Sequence, residues 1–414
     1  GGARVRSHFG SSPRPRARPA PRRGPHARPA VAMERKARIG MLGCGFIGRK
    51  NARAILRAGN AELAAVASRD LAKCQQYCEE LLLPESVARL GSYDALLADT
   101  SIDVVYVPLP TAAHLEWVLK VAAAGKHVLV EKPVARNAAE AGQMIRACRE
   151  AGVQLMDGLM FVHHARFAKV RAIFDDPLTW HPLRVTAGFS FRATAAYLRD
   201  NIRVRPDGDP LGCLGDLGWY LIRVGLAAFR WERPEAVSAR VRTATAAGIP
   251  LDADVDIFWP AASSNPPAWA ATSSAGASDE ATGSEFAPQR MMTFHCSFLH
   301  PWRQWYEAIS VSGKVVRCRD LCIPHREQVC EFELEQAIGT TDLDCAAIAD
   351  RTVVPTLDCA QEVCMWERIA SIALEGKRDP SFEHVVFLTQ LIIDAALASA
   401  QAGGGRVDLA SAEF

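Results

Sequence analysis

Two short segments bring together residue types that do chemistry as a set. The segment His127-Val128-Leu129-Val130-Glu131-Lys132-Pro133 ends an apolar run on an acid and a lysine. The proline biases Lys132 toward extended backbone, which aims its ammonium outward instead of into a helix. Further along, residues 211–222 (LGCLGDLGWYLI) place Asp216 and Tyr220 four apart, the spacing that stacks two side chains on one face of a helix. A phenol beside an ammonium shifts toward phenolate and can take a hydroxyl proton while hydride leaves the same carbon. Alone, Lys132 reads as a solvated strand end and Tyr220 as a core aromatic. Each gains meaning from the other.

A third segment supplies the partner for that hydride. Gly43-Cys44-Gly45-Phe46-Ile47-Gly48 is a GxGxxG directly after an apolar run and at the start of an amphipathic one. Gly43 permits the tight turn, Gly45 lets backbone approach a pyrophosphate, and Gly48 lets helix and strand pack closely, with Phe46 and Ile47 beside the cofactor. About twenty residues on, where an NAD enzyme carries an acid for the ribose hydroxyl, the chain has Ser68-Arg69-Asp70. A serine hydroxyl and a forked guanidinium suit a 2′-phosphate, so NADP is expected, with NAD as the alternative if Asp70 is the ribose acid.

These residues need elements to hold them. From residue 38, apolar runs at 38–43, 62–68, 103–107, 127–130 and 153–157 alternate with helical patterns at 46–57, 71–82, 112–124 and 137–151. That alternation predicts an α/β Rossmann domain, a doubly wound parallel sheet covered on both faces, over residues 33–158. A strand order of this type delivers Glu131 and Lys132 to the carboxyl edge, where ligands bind. After residue 160, period-2 runs follow one another at 183–191, 235–243, 253–259, 291–299, 305–312, 314–319 and 328–333, and helical patterns close the chain at 357–375 and 383–402. This predicts an α+β domain with a largely antiparallel open-faced sheet over 159–414. Residues 260–290 are too long and polar for a turn and read as a disordered insertion.

Residues 1–32 carry eight arginines and no acid, so the rest of the 414-residue chain has 40 basic against 46 acidic residues, a net −6 behind the overall +2. The leader is expected to be disordered, either an organelle transit segment or an untranslated stretch ahead of Met33. The location expected is cytoplasmic, or organellar if the leader is a genuine transit peptide. The acidic body offers no field for nucleic acid. No run reaches the ~18 apolar residues of a membrane span, since 387–400 is broken by Gln390 and Asp394. Twelve scattered cysteines without zinc-like spacing read as buried reduced thiols, and no metal set is evident.

Four motifs in register make the resemblance specific: GCGFIG, Pro110-Thr111-Ala112-Ala113-His114, Glu131-Lys132-Pro133 and Asp216-x-Gly218-x-Tyr220. The chain resembles the glucose–fructose oxidoreductase / inositol dehydrogenase family over roughly residues 37–400, closest to its NADP-dependent xylose dehydrogenase and dihydrodiol dehydrogenase branch. The resemblance implies an oxidoreductase moving hydride between nicotinamide and a secondary alcohol or sugar hydroxyl of an aldose, polyol or cyclic diol. It makes Lys132, Asp216 and Tyr220 catalytic and puts Thr111, His114 and Glu131 at the cofactor. It also implies a homodimer or higher homo-oligomer and a final helix that returns to the first domain. Substrate contacts are sought at His164, Asn201 and Arg203; surface charge is the plainer reading of Arg203, and a helix cap that of His164. In the expected mechanism the Lys132 ammonium lowers the pKa of a Tyr220 general base, and Asp216 fixes the lysine. The rival is an NADP-binding sensor or scaffold without catalysis.

Overall fold

The computed structural model describes residues 35–261, 288–324, 329–340, 345–355 and 360–409. The basic leader and most of the 260–290 insertion lie outside them.

The first part follows the expected alternation: β1 (Ala37–Leu42), α1 (Phe46–Arg57), β2 (Ala61–Ala67), α2 (Leu71–Glu80), β3 (Ala88–Leu90), α3 (Tyr93–Ala98), β4 (Val104–Val107), α4 (His114–Ala123), β5 (His127–Val130), α5 (Ala138–Glu150) and β6 (Leu155–Asp157). All six strands run parallel in the order β3-β2-β1-β4-β5-β6. The order reverses at β1, so the loops after β1 and β4 diverge and open a crevice at the carboxyl edge. β4 is buried at all four positions, as a strand covered on both faces must be. Helix starts are fixed locally: the Asn137 side chain accepts from Glu140 N at 2.9 Å, capping α5. β3 and α3 escape sequence reading because three and six residues are too few to show a period.

The second part continues with α6 (Ala165–Phe174), β7 (Pro182–Ser190), α7 (Ala195–Asp200), α8 (Trp219–Ala228), β8 (Ala236–Ala244), β9 (Pro250–Trp259), β10 (Arg290–Ser297), β11 (Arg303–Ser310), β12 (Lys314–Cys318), β13 (Val329–Thr340), β14 (Cys345–Pro355), α9 (Gln361–Glu375), α10 (Pro380–Gln401) and β15 (Val407–Asp408). Nine strands form one sheet, β14-β13-β12-β11-β7-β10-β9-β8-β15, antiparallel except where β7 meets β10. α8 is buried at all ten positions and packs on β7, placing the main core between helix and sheet.

Two findings amend the sequence reading. α10 is long and apolar enough to cross a membrane, with a mean hydropathy of 1.4 in its best window, although 61% of that window is buried inside the protein. It packs on α5, β6 and β8, so Gln390 and Asp394 find partners there: Asp394 accepts from Ala138 N at 2.6 Å and Gln390 Nε2 at 3.0 Å. Cys44, Cys74, Cys78, Cys148, Cys213, Cys296, Cys318 and Cys322 are reduced, but Cys364 in α9 is disulfide-bonded, so the all-reduced expectation fails there.

Candidate active site

The crevice begins at the glycine turn. Gly43 sits at φ +97°, where a side chain would be strained, and donates its N–H to Ala67 O at 2.7 Å. A Cβ built on Gly45 would find only Pro108 O, at 3.8 Å, so that side is open for a ligand. α1 then starts with no side-chain cap and no acid in its first turn, leaving its first amides for an anion. Phe46 is 90% exposed at this helix start, an apolar surface that a bound dinucleotide would cover. The turn fits a pyrophosphate.

At the tip of β2, Asp70 is spent on structure: its carboxylate accepts from Lys73 N at 3.2 Å and caps α2. That local role weakens its reading as a ribose acid. Ser68 is buried, with its Oγ accepting from Asp70 N at 3.3 Å. Arg69 is exposed and its charge lies near Tyr93, whose hydroxyl stands beside the Gly43 turn. Ser68 and Arg69 therefore line the ribose end of the crevice and fit a 2′-phosphate.

β5 carries Lys132 to the same edge. Its Nζ donates to Asp216 Oδ1 at 2.6 Å and to Asp216 O at 2.9 Å, with both side chains 9% exposed. Arg203 Nε adds a second cation on Asp216 Oδ1 at 2.7 Å. Burial alone would raise the Asp216 pKa; the Arg203 and Lys132 charges outweigh it and hold the carboxyl at about 2. Gly215 makes this approach possible, because a Cβ there would meet Leu211 Cβ at 2.6 Å and Pro133 Cγ at 2.9 Å. An ammonium locked by two acceptors, with its third hydrogen left over, can bind and protonate an oxygen that gains charge.

Tyr220 departs from the expectation. Residues Leu214–Gly218 form a π-helical turn, which widens the i,i+4 register and ends the simple stacking of Asp216 and Tyr220. The Lys132 ammonium stands over the face of the Tyr220 ring, 4.6 Å from its centroid, as a cation–π contact. The hydroxyl lies instead at Met160 Sδ, 3.7 Å away, with Phe161 and Phe189 packed around the ring. Burial pushes this phenol well above its ordinary pKa, the reverse of an activated base. Ammonium and phenol converge, but through the wrong atoms for the expected proton transfer. Tyr220→Phe keeps the ring under Lys132, so turnover is expected to fall less than about tenfold, against roughly 10²–10⁴ for a lost general base. Steady-state kinetics of that variant measure the difference.

The remaining sequence-predicted residues divide. Glu131 accepts from Tyr106 Oη at 2.5 Å and from Lys132 N at 3.3 Å, and burial raises its pKa. Thr111 is buried in a 3-10 turn after β4. His114 is buried between Val134 O at 3.0 Å and Leu109 O at 2.8 Å, so it ties the loops after β4 and β5 together and has no nitrogen left for a ligand. His164 caps α6, accepting from Arg166 N at 3.0 Å, with its other nitrogen 3.5 Å from Cys330 Sγ. Asn201 caps the turn Ile202–Val204 through Arg203 N at 3.0 Å. His164 and Asn201 thus serve backbone, while Arg203, plausible as mere surface charge, belongs to the centre.

Sequence reasoning missed three features. Asp209 is buried and pushed up to about 7 by burial and by the Asp216 charge, a second carboxyl beside the same cations. A relay of hydrogen bonds runs from Trp366 Nε1 to Asn51 Oδ1 (2.8 Å), from Asn51 Nδ2 to Tyr106 Oη (2.7 Å), and on to Glu131. Asp157 Oδ2 receives Arg223 Nη2 at 2.8 Å and Trp219 Nε1 at 2.9 Å, pinning α8 to the end of β6. None shows a spacing signal, since the partners lie on different elements.

The chain matches known proteins. Residues 37–159 match the oxidoreductase family with an NAD-binding Rossmann fold, GFO_IDH_MocA. Among curated relatives, the D-xylose 1-dehydrogenase (NADP(+)) 2 of Haloferax volcanii is 38% identical over 184 residues, 44% of this chain and 54% of that protein. The trans-1,2-dihydrobenzene-1,2-diol dehydrogenase of Xenopus laevis is 31% identical over 179 residues, 43% of this chain and 52% of that protein. The chain spans about half the length of the curated relatives it matches. In fold the likeness extends further. A 3-ketoreductase from Actinomadura kijaniata, solved with NADP and TDP-benzene, superposes with a TM-score of 0.69 at 22% identity, covering 88% of this chain and 98% of that one. The aldose-aldose oxidoreductase from Caulobacter crescentus gives 0.72 at 20% identity, covering 91% and 100%. This chain therefore shares the fold of those structures, and its own sheets are a parallel one carrying the glycine turn and a second, mostly antiparallel one.

Proposed function

We propose that this chain is an NADP-dependent oxidoreductase that transfers hydride between nicotinamide and a CH–OH carbon of a sugar, polyol or cyclic diol. One observation carries the reading: Lys132 Nζ is fixed on Asp216 at 2.6 Å, at the carboxyl edge of a parallel sheet whose glycine turn fits a dinucleotide. The xylose dehydrogenase and dihydrodiol dehydrogenase relatives, by name, act on substrates of this class. A sensor or scaffold has no use for a buried lysine held by a carboxylate that is itself held by arginine.

When bound, the nicotinamide accepts or donates the hydride. The protein supplies orientation and charge. In the reducing direction the Lys132 ammonium donates to the reacting oxygen and gives it a proton as it becomes anionic; in the oxidising direction the same nitrogen, as the amine, takes the hydroxyl proton. Asp216 and Arg203 hold that lysine in one position, so little reorganisation accompanies the reaction. Tyr220 supports the ammonium from below with its ring. Mixing the pure protein with NADP and a panel of aldoses, inositols and diols, and following the reduced-nicotinamide absorbance, tests the proposal; saturable cofactor binding with no turnover on any of them overturns it.

Arg69 carries the cofactor preference. Removing one charged donor to a phosphate forfeits about 1.5–3 kcal/mol. Arg69→Ala is therefore expected to weaken NADP binding by roughly 10–150-fold while leaving NAD binding unchanged, as read by fluorescence titration with each cofactor.

A further inference from the structure

On the outer face of the nine-stranded sheet, three side chains from separate stretches of chain turn toward one point. Asp252 lies on β9, His295 on the adjacent β10, and His300 on the turn before β11. His295 Nε2 is 2.6 Å from Asp252 Oδ1, and His300 Nε2 is 3.7 Å from Asp252 Oδ2. One ligand atom from each residue falls within 4.8 Å of the other two. The imidazole rings meet edge to face with centroids 4.8 Å apart.

The neighbouring acids on this face all have other partners. Along β9, Asp252, Asp254 and Asp256 project to the same face. Asp254 is paired with Arg242, and Asp256 accepts from Thr293 Oγ1 at 2.7 Å. Asp252, only 5% exposed, is met by two imidazoles and, among the described residues, by no lysine or arginine. Beside the imidazoles opens a cavity of about 310 Å³, bordered also by Ser190, Arg303 and Trp305. Nothing in the proposed hydride transfer uses these groups: Cys296, next to His295, faces the opposite side of the sheet, toward Cys213.

We propose that Asp252, His295 and His300 form a binding site for a first-row divalent cation of the zinc class, with one coordination position open to the cavity. Zinc binds imidazole nitrogen and carboxylate oxygen at roughly 2.0–2.2 Å, so tetrahedral neighbours stand about 3.4 Å apart. The three donor atoms already lie within 4.8 Å of one another, His295 Nε2 beside Asp252 Oδ1 and His300 Nε2 beside Asp252 Oδ2, and His300, 53% exposed at its side chain, can turn to tighten the set. Two imidazoles and one carboxylate are a borderline donor set, which favours zinc, cobalt or nickel over magnesium or calcium. Three protein ligands leave room for water or an anionic ligand on the cavity side, where Arg303 adds positive charge. Sequence spacing shows no such set because the three residues meet only through strand pairing.

The test uses the full chain, stripped with a chelator and titrated with Co²⁺ while visible d–d absorption is followed. Saturation at one cobalt per chain is expected, competed away by Zn²⁺. His295→Gln keeps a hydrogen bond to Asp252 and leaves Lys132 untouched, so it should fold and retain hydride transfer while cobalt affinity drops about 100-fold or more. Asp252→Asn should behave likewise. Absence of stoichiometric cobalt binding overturns the proposal. So does a spectrum unchanged in both variants, or one dominated by thiolate charge transfer, which would put the metal on cysteines.

Discussion

Lys132→Met is expected to lower turnover by roughly 10²–10⁴ while changing NADP affinity less than about tenfold. Methionine reproduces most of the lysine stem, and Asp216 keeps its Arg203 partner at 2.7 Å, so the carboxylate is not left bare. The turn Leu214–Gly218 should then hold its shape. What disappears is a cation that touches both Asp216 and the Tyr220 ring. The loss corresponds to about 3–5 kcal/mol of transition-state stabilisation, within the range for a fixed charge beside a developing oxyanion. Steady-state kinetics on whichever panel substrate is turned over, with a parallel cofactor titration, measure both quantities. Unchanged turnover would remove Lys132 from the chemistry and with it the proposed function. Compared with Tyr220→Phe, this variant also decides which of the two groups handles the proton.

The second large effect is on stability. Arg223→Met is expected to destabilise the protein by about 3–5 kcal/mol, because it strands the Asp157 carboxylate in the interior. The pair is 2.8 Å apart, with side-chain exposures of 3% and 1%. Trp219 Nε1 alone, at 2.9 Å, cannot replace a guanidinium. Asp157→Asn combined with Arg223→Met removes both charges and keeps an acceptor for Trp219, so it should recover a substantial part of the loss. Urea unfolding reads this as a lowered midpoint for the single variant at similar slope, and a partly restored one for the double. Since Asp157 ends β6 and Arg223 belongs to α8, the pair also sets how the helix after Asp216 meets the nucleotide-binding sheet.

Much of the first part was legible because its signals are local. β5 at His127–Val130 and α1 at Phe46–Arg57 fall where apolar period and glycine turn place them. The position of Lys132 at the carboxyl edge follows from strand alternation and the handedness of the crossovers. Elements too short to repeat a period, such as β3 and α3, left no such trace.

The site divides along the same line. Residue order determined that a dinucleotide turn, a lysine at a strand end and an Asp–Tyr segment would occur in this chain. It could not determine which atoms meet. Whether Lys132 faces the Tyr220 hydroxyl or its ring depends on a π-turn and on Met160, two features set by packing against α8 and the sheet. Arg203, Asp209 and the Asp157–Arg223 pair acquire their roles only when distant segments exclude water around them. Sequence periodicity encodes which face of an element is apolar; the distance and desolvation that turn a polar residue into a charge partner exist only once several elements have packed.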